Sequence, residues 1–346
     1  MKNVSLVSRR KFEIKNVERP ILKKDDDILL KVCLVGICGS DIHYYKEGRI
    51  GDQVIEYPFT VGHECVCRVE EVGKSVTSFC KGDLVVVDPV THCNVCDQCK
   101  QGRFHTCRSV QSMGNPGQLE GALSEFIVMP QTCCYRLVPA FDLKTAIIVE
   151  PLSIAVQAFQ LLKDPGIKKI AILGVGPIGL CVLMEAQTNG IMSIYITDKI
   201  NHRIQVSKQF EAIWGGNPDE LDIVEKILSK EPDGLDAVFE CCGDQEALTQ
   251  SVQLLKPGGT LIIVGIPEVD QVYFNIHELR RKEIKILNVR RQNQCFKKAI
   301  DHLKNKKFDA SLFVTHVFDL DSVENAFETV ANYRDGVIKA VIEFSS

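Results

Sequence analysis

Four closely spaced cysteines are the most conspicuous group of potentially reactive side chains in this sequence. Cys93, Cys96, Cys99 and Cys107 follow the spacing C-x2-C-x2-C-x7-C. Three thiolates at this spacing can converge from one loop and the fourth can close a tetrahedron, which is the pattern of a structural zinc ion without an open coordination position. An iron–sulfur cluster accepts similar spacing, but nothing else here suggests electron transfer. A C-x-x-C redox pair usually lies beside a βαβ unit, whereas this loop lies in a β-rich region.

A glycine-rich segment indicates dinucleotide binding. Gly174, Gly176 and Gly179 form a G-x-G-x-x-G pattern that follows the apolar run KIAIL and opens a predicted helix. The first glycine permits a tight turn, the second lets a pyrophosphate approach the backbone, and the third lets helix and strand pack closely. The helix begins at Pro177 and Ile178, where backbone N–H groups and the helix dipole favour phosphate.

The residues after the next predicted strand bear on the choice of cofactor. Asp198 lies nineteen residues after Gly179, where an acid accepts hydrogen bonds from ribose hydroxyls and repels a 2′-phosphate. This favours NAD over NADP, although Lys199 and Arg203 are cations that could neutralise such a phosphate. Gly265, at the end of a later strand, completes the expected cofactor contacts.

A third group of residues has the composition of a catalytic metal site. Cys38 lies in GICGSDIHYY, His63 and Glu64 lie in VGHE, and Glu150 lies in VEPL. A cysteine, a histidine and carboxylates can bind Zn²⁺ and leave one position for water or substrate. The spacing alone leaves this open, because residues so far apart need not meet and His63 could equally be a structural histidine.

In their order along the chain, C-G-S-D, G-H-E, the four cysteines, E-P-L and G-x-G-x-x-G resemble the zinc-dependent medium-chain alcohol and polyol dehydrogenases. The similarity runs from about Leu29 to the C-terminus, and CGSDIHYYKEGRIGD is most similar to sorbitol (L-iditol), xylitol and L-idonate dehydrogenases. The resemblance implies an α/β fold, with a Rossmann doubly wound parallel sheet and a β-rich GroES-like catalytic domain. It implies oxidation of a secondary alcohol of a polyol or sugar acid to the ketone with NAD.

Other functions stay open at this point. The same fold could act on L-threonine, a simple alcohol or a sugar phosphate. The chain could also be a non-catalytic NAD-binding zinc protein.

The resemblance also implies two zinc sites. Cys38, His63 and Glu64 would bind a catalytic zinc, with Glu150 as an exchangeable or water-linked fourth partner. The four-cysteine cluster would bind a structural zinc.

Further residues match family positions around the substrate. Ser40 and His43 match the positions of the family's proton relay. Tyr44 matches a residue that lines the polyol pocket, and Arg291 matches an arginine near substrate and cofactor. In an extended segment Tyr44 and Tyr45 would point in opposite directions, so we expect only Tyr44 to face substrate.

The sequence departs from the family pattern, or from its animal members, at several places. Cys67 replaces a glycine, which puts the local strand packing in doubt, and Gln292 stands where animal sorbitol dehydrogenases carry tyrosine. Those animal enzymes also lack the four cysteines, which points to a microbial-type branch. The segment FEAIWGGNPDE, with Trp214-Gly215-Gly216 at its centre, departs from the usual pattern, and we expect a surface variation.

The coarse pattern of elements predicts two domains. Residues 29–140 show short β-rich runs without a convincing long helix, which predicts an antiparallel barrel or sandwich. After Glu150, apolar strands alternate with helices, as in a parallel sheet covered on both faces. The tail predicts a helix over 294–307, a second from Asp321 with Glu324 in a capping box, and a final strand. We expect a catalytic domain over 1–152 with 293–346, and a cofactor domain over 153–292.

The bulk properties narrow the class of protein. The 346 residues are 45% hydrophobic with a net charge of −4, which argues against nucleic acid as the main partner. The longest apolar run, Ile170 to Met184, contains glycines and is too short to span a membrane comfortably. With no signal-peptide pattern at the start, we expect a cytoplasmic protein with a small-molecule substrate and no membrane partner. The resemblance suggests a homodimer or homotetramer.

The cysteine count excludes a fully paired disulfide framework. The chain has 15 cysteines, an odd number. Several, including Cys33, Cys181, Cys241 and Cys242, are expected to lie in apolar strands as small hydrophobic residues.

Overall fold

The computed structural model describes residues 1–138, 141–304 and 309–344 and separates into two compact units. Unit 1 comprises Met1–Glu150 and Phe296–Ser346, and unit 2 comprises Pro151–Cys295. These borders differ by two and three residues from the expected domain borders. The predicted helix over 294–307 is observed over Phe296–Lys304, and residues 305–307 of that prediction lie outside the described residues.

The strands of the described residues are, in chain order, β1 Lys2–Ser8, β2 Lys11–Asn16, β3 Asp27–Gly36, β4 Arg49–Ile50, β5 Gln53–Val54, β6 Glu64–Val72, β7 Leu84–Val87, β8 Val90–Thr91, β9 Gln111–Ser112, β10 Phe126–Pro130, β11 Cys134–Arg136, β12 Lys169–Leu173, β13 Ser193–Thr197, β14 Trp214–Gly216, β15 Leu235–Glu240, β16 Leu255–Ile263, β17 Lys285–Asn288, β18 Val314–Asp319 and β19 Lys339–Glu343.

The α-helices of the same residues are α1 Gly39–Glu47, α2 Asp97–Lys100, α3 Leu143–Ala146, α4 Val149–Leu162, α5 Pro177–Thr188, α6 Asn201–Lys208, α7 Ile223–Leu228, α8 Gln245–Leu254, α9 Ile276–Lys282, α10 Phe296–Lys304 and α11 Val323–Ala331. Short 3₁₀ turns lie at Phe104–Thr106, Gln131–Cys133, Ala310–Phe313, Leu320–Ser322 and Arg334–Gly336.

Unit 1 is built on a seven-stranded sheet in which β3 is the central strand. The order is β11-β7-β6-β3-β19-β18, and β10 also pairs with β3. All of these pairs are antiparallel except β18 with β19. The predicted antiparallel β-rich half is therefore observed, with one parallel pair added by the C-terminal strands.

One helix that sequence analysis did not identify lies within this half. Helix α1 runs over nine residues, and Asp41 accepts a hydrogen bond from the backbone N–H of its N-cap residue, Cys38. It ends at Gly48, whose φ of 71° is a left-handed C-cap conformation that glycine adopts without steric cost. The apolar period of this helix is weak, so its caps were the sequence signal that could have found it.

Unit 2 contains a six-stranded parallel sheet of order β14-β13-β12-β15-β16-β17. Numbered within the unit this is 3-2-1-4-5-6, the doubly wound dinucleotide-binding order. Residues Ile170 to Leu173 of β12 are all buried. Since successive side chains of a strand face opposite sides, both faces of the sheet are covered.

The segment around Trp214 is an edge strand rather than a surface variation. Trp214, Gly215 and Gly216 form β14 and pair with Tyr195, Ile196 and Thr197 of β13. A Cβ added to Gly215 would lie 2.8 Å from Ile204 Cγ2 and 3.0 Å from Ile196 Cδ1. The glycine therefore lets α6 pack closely on the sheet edge, which is a tertiary requirement.

The predicted capping box at Asp321 and Glu324 is also wrong. Asp319, not Asp321, caps the preceding 3₁₀ turn by accepting from the backbone N–H of Ser322. The Glu324 carboxylate accepts from the backbone N–H of Phe12 in the N-terminal hairpin instead. A contact between distant parts of the chain thus takes the place of the local cap.

Several cysteines differ from their expected places. Cys181 lies in α5 rather than in a strand, and Cys242 is exposed just after β15. Cys67 is fully buried on β6, opposite Val32 and Val85, and burial raises the pKa of its thiol. The strand therefore accepts Cys67 where the family pattern has glycine.

One segment, Leu143–Leu162, is long and apolar enough to cross a membrane, with a mean hydropathy of 1.5. Its most apolar stretch is 67% buried inside the protein. This burial is typical of a core helix.

We predict that alanine at Gly179 destabilises unit 2 and that alanine at Gly176 does not do so to the same extent. A Cβ at Gly179 would clash with the backbone oxygen of Gly174, whereas at Gly176 the nearest atom is Arg203 Nη1 at 3.3 Å. We expect Gly179→Ala to lower the free energy of unfolding by about 1–3 kcal/mol, and Gly176→Ala by about 1 kcal/mol or less. Urea unfolding followed by the fluorescence of Trp214, the single tryptophan of the chain, measures both. Equal losses in the two variants would contradict the packing argument.

Candidate active site and metal centres

Cys38, His63 and Glu64 meet in unit 1. One potential ligand atom from each lies within 4.8 Å of the others. The reason is strand register, because Gly36 of β3 lies opposite Glu64 of β6 in an antiparallel pair. Cys38 lies two residues beyond Gly36 and His63 lies one residue before Glu64, so both leave the sheet at the same end.

Asp41 holds two of these residues in place. Its carboxylate is 1% exposed. Oδ2 accepts from the backbone N–H of Cys38 at 2.9 Å, Oδ1 accepts from the backbone N–H of Gly62 at 3.1 Å, and Oδ1 lies 3.6 Å from His63 Nδ1. Burial by itself would lower the pKa of His63, but Asp41 and Cys38 together outweigh burial and raise it. Sequence reasoning missed Asp41, although its place three residues after Cys38 is that of a capping-box acid.

Glu64 forms a buried ion pair with Lys339 of β19. Both side chains are 1% exposed, and Lys339 Nζ also donates to the backbone oxygen of Ile37 at 3.2 Å. Burial favours the neutral amine, but nearby charges, first that of Glu64, raise the pKa of Lys339. Lys339 was also missed, because only the pairing of β19 with β3 brings it to this site.

Glu150 lies near this group but outside the 4.8 Å cluster of ligand atoms. It occupies the first turn of α4 and is 9% exposed. Burial raises the pKa of Glu150 to about 7. His63 opposes this rise, and the Glu64 carboxylate adds to it. The structure therefore brings together three of the four predicted ligands and places the fourth within electrostatic range.

Helix α1 carries the other predicted residues of this unit. Ser40, His43 and Tyr44 share one helix face, since they lie three and four positions apart. Ser40 and His43 are half-buried, whereas Tyr44 is 2% exposed and donates from its hydroxyl to Asn115 Oδ1 at 3.1 Å.

The neighbouring tyrosine anchors α1 on its other side. Tyr45 is buried, stacks on Phe12 with ring centroids 5.5 Å apart, and donates to Glu328 Oε1 at 2.9 Å. The assumption of an extended segment at Tyr44 and Tyr45 is thus wrong. Their different surroundings come from the turn of the helix.

The four cysteines fit a tetrahedral zinc ion. Cys96 Sγ lies 3.6 Å from Cys99 Sγ and 3.9 Å from Cys107 Sγ, and Cys107 Sγ lies 3.5 Å from Cys93 Sγ. A regular tetrahedron with Zn–S bonds of about 2.3 Å has sulfurs about 3.8 Å apart.

Backbone N–H groups favour the thiolate form of two of these cysteines, Cys93 and Cys96, whereas burial raises the pKa of Cys99 to about 12. The N–H groups of Arg108 and Cys99 lower the pKa of Cys96 to about 6. The pKa of Cys93 is also lowered, first by the backbone N–H of Val95. Thiolate is the form of cysteine that binds metal, so these donors favour metal binding at Cys93 and Cys96.

The glycine loop of unit 2 has the geometry that its sequence predicts. Gly174 has a φ of 91°, and a Cβ there would lie 2.8 Å from Cys242 Cβ. Pro177 is the first residue of α5, and Ile178 follows it. Gly265 packs against the 242–243 turn, where a Cβ would lie 2.9 Å from the backbone nitrogen of Cys242. These glycines allow three chain segments to meet at the carboxyl ends of β12 and β15, where such sheets bind dinucleotides.

Asp198 ties this loop to the end of β13. It is 8% exposed, and its carboxylate accepts from the backbone N–H groups of Val175 at 2.9 Å and Ile200 at 2.8 Å. Burial raises the pKa of Asp198. Arg203 Nη1 lies 3.9 Å from Asp198 Oδ2, and Lys199 forms an ion pair with Asp244 at 3.3 Å. The acid that sequence analysis assigned to ribose therefore also organises the loop.

Arg291 and Gln292 lie at the end of unit 2. Arg291 is half-buried with a φ of 54°. Gln292 is buried, and its Oε1 accepts from the backbone N–H of Cys295 at 2.7 Å. Gln292, which replaces the tyrosine of the animal sorbitol dehydrogenases, is thus part of a local turn.

Comparison with known proteins identifies the family. The alcohol dehydrogenase GroES-like domain matches residues 24–139, and the zinc-binding dehydrogenase family matches residues 177–305. The chain is 33% identical to sorbitol dehydrogenase of Bacillus subtilis over 344 residues, covering 99% of this chain and 97% of that protein. It is 30% identical to L-idonate 5-dehydrogenase of Vitis vinifera over 312 residues, covering 88% and 85%. A solved Escherichia coli oxidoreductase/dehydrogenase of unknown specificity superposes with a TM-score of 0.91 at 31% identity, covering all of both chains.

The chain belongs to the zinc-dependent medium-chain alcohol dehydrogenases. It is an oxidoreductase of the type that uses zinc and a nicotinamide dinucleotide cofactor. The predicted fold, a GroES-like domain and a Rossmann domain with a parallel sheet, is confirmed.

We predict different consequences for the two cysteine sites. Cys38→Ser and Cys99→Ser should each reduce bound zinc from two ions to one, measured by metal analysis of the purified protein. Cys99→Ser should also lower the thermal unfolding temperature, because a closed four-sulfur site contributes directly to folding. Cys38→Ser should lose turnover in a protein that stays folded. Equal unfolding of both variants would contradict this division.

A second prediction concerns Asp41. In Asp41→Asn one of the N–H groups of Cys38 and Gly62 loses its acceptor, because the amide nitrogen cannot accept. We expect zinc affinity at the Cys38 site to fall about 10- to 100-fold, measured by competition with a chelator. Glu47→Gln, an exposed change on the same helix, is the control and should leave the affinity unchanged. Unchanged affinity in Asp41→Asn would contradict a positioning role.

Proposed function

We propose that this enzyme oxidises a secondary alcohol of a polyol or sugar acid to the ketone, with NAD as the hydride acceptor. The observation that carries the proposal is the cluster of Cys38, His63 and Glu64 at the start of a helix that presents Ser40, His43 and Tyr44. The similarity to sorbitol dehydrogenase and L-idonate 5-dehydrogenase supports the substrate class.

In this proposal one zinc site is catalytic and the other is structural. Cys38, His63 and Glu64 would hold the catalytic zinc, with Glu150 as an exchangeable or water-linked partner, and the four cysteines would hold the structural zinc. When bound, the catalytic zinc acts as a Lewis acid that makes the substrate hydroxyl more acidic, and NAD supplies hydride acceptance. We assign the catalytic role to residues 1–152 with 293–346, and cofactor binding to residues 153–292.

The remaining residues move the proton and orient the substrate. The Ser40 hydroxyl accepts the proton of the substrate hydroxyl and passes its own toward His43, which lies one helical turn further along α1. Tyr44 lines the substrate pocket, and Arg291 acts near substrate and cofactor. Fixing these groups on one helix face limits the motion needed for proton transfer.

The surroundings of Asp198 support NAD rather than NADP. A 2′-phosphate would meet the buried Asp198 carboxylate, and Lys199 already pairs with Asp244. Arg203 lies 3.3 Å from the position of a Cβ on Gly176, which suits the cofactor pyrophosphate. Gly174, Gly176, Pro177, Ile178, Gly179 and Gly265 complete the proposed cofactor site.

The proposed setting is that of a cytoplasmic enzyme. Burial of the apolar Leu143–Leu162 segment and the net charge of −4 support a protein without membrane or nucleic-acid partners. We propose a homodimer or homotetramer.

The test is NADH formation by the zinc-loaded protein across sorbitol, xylitol, L-idonate, galactitol, L-threonine and sugar phosphates. We expect activity with polyols or sugar acids, and at least a tenfold preference for NAD over NADP in kcat/KM, about 1.4 kcal/mol. Asp198→Ala should reduce that preference, because it removes the charge that repels a 2′-phosphate. Activity confined to threonine or simple alcohols would contradict the proposed substrate, and a preference for NADP would contradict the role of Asp198.

A further inference from the structure

A groove of about 630 Å³ lies in unit 1 beside the proposed substrate residue Tyr44. Residues 52–54, 56–59 and 115–120 line it. Its volume lies in the range of small-molecule sites. Sequence analysis assigned no function to any of these residues.

Two contacts connect the groove to Tyr44, on the helix that begins next to Cys38. Asn115 lines the groove and accepts the hydroxyl of Tyr44, and the ring of Phe59 contacts the Tyr44 ring with centroids 6.0 Å apart. Tyr44 lies six residues along α1 from Cys38, about 9 Å at 1.5 Å per residue.

A backbone contact ties the same segment to His63. A Cβ on Gly114, the residue before Asn115, would lie 3.0 Å from the backbone oxygen of Gly62, the residue before His63. The groove wall and the metal ligands therefore belong to one packed segment of unit 1.

The charge of the groove has one sign. Asp52, Glu56 and Glu120 contribute carboxylates, and its lining contains no lysine, arginine or histidine. Asp52, Glu56 and Glu120 are all exposed, and Glu120 Oε2 accepts from the backbone N–H of Thr60 at 3.3 Å. Carboxylates accept hydrogen bonds from hydroxyl groups and repel other anions.

Asn115 is an independent indication of a ligand. Its side chain is buried, at 8% exposure, and Oδ1 is engaged by Tyr44. Nδ2 is buried and has no hydrogen-bond partner among the described residues. A buried donor without an acceptor is unfavourable, so an acceptor oxygen from a substrate hydroxyl would satisfy it.

We infer that this groove selects an uncharged polyol over the corresponding sugar acid or sugar phosphate. The inference rests on the proposed function and narrows its substrate class. The carboxylates bind hydroxyls of the chain beyond the reacting carbon, and Asn115 Nδ2 donates to one hydroxyl oxygen. A carboxylate or phosphate at the end of the substrate away from the reacting carbon would be repelled by the carboxylates of Asp52, Glu56 and Glu120.

L-Iditol and L-idonate test this inference, because they differ in a CH₂OH group against a carboxylate. We expect wild-type kcat/KM at low salt to be at least tenfold higher for L-iditol. Asp52→Asn with Glu56→Gln should reduce that ratio by about two- to fivefold per carboxylate, mainly through a lower KM for L-idonate. High salt should change the wild-type ratio in the same direction, since it screens exposed charges.

The matched control is Glu13→Gln with Asp321→Asn, an equal change of net charge at exposed positions of unit 1 outside the groove. It should leave the ratio unchanged. Asn115→Leu, of similar size, should lower kcat/KM for L-iditol about tenfold through KM, with thermal unfolding as the check on folding.

The outcomes separate this inference from the proposed function. No NADH from any polyol or sugar acid overturns both. Oxidation of L-idonate as efficient as that of L-iditol, or a ratio unaffected by the Asp52 and Glu56 changes, overturns the inference alone and would indicate that a cation such as Arg291 governs substrate charge.

Discussion

The hydrogen bonds of one buried carboxylate hold the candidate metal site together. Asp41 accepts from the backbone N–H groups of Cys38 and Gly62 and faces His63. It therefore joins the start of α1 to the entry of β6, the two segments that carry the three candidate metal ligands Cys38, His63 and Glu64. A buried carboxylate is stable only when its oxygens are satisfied, so the start of this helix and the register of β3 with β6 depend on each other.

The same unit buries further charges around this point. Glu64 pairs with Lys339. The pKa of Glu150 is raised by burial and, to a smaller extent, by the nearby Glu64 carboxylate. Buried ion pairs add little to stability, because desolvation offsets most of the attraction. The clustering of these buried charged groups at one end of the β-sheet is therefore better explained by a role in the reaction than by a contribution to stability. Titratable groups with perturbed pKa values in one cluster are typical of functional sites.

In unit 2, glycine residues allow backbone segments to approach each other closely. Gly174, Gly179, Gly215 and Gly265 each lie where a Cβ would press on a neighbouring segment. At Gly174, Gly179 and Gly265 such contacts let the glycine loop, the start of α5 and the turn after β15 converge where the strand order reverses. At Gly215 the contact lets α6 pack on the outer strand β14. Asp198, just after β13, fastens the glycine loop by accepting from the backbone N–H of Val175, and its other oxygen accepts from the nearby backbone N–H of Ile200.

The sequence by itself determined the features that depend on local pattern. The four cysteines, the glycine loop with Asp198, and the alternation of strands and helices after Glu150 were all readable, because ligand spacing and hydrophobic period are short-range properties. Helix α1 was missed since its apolar period is weak, and the cap at Asp321 was wrong because Glu324 bonds to Phe12 instead. Only the tertiary structure placed Lys339, Asn115 and the Asp41 contacts. Those partners come from strand pairing and loop packing across long stretches of chain, which residue spacing does not encode.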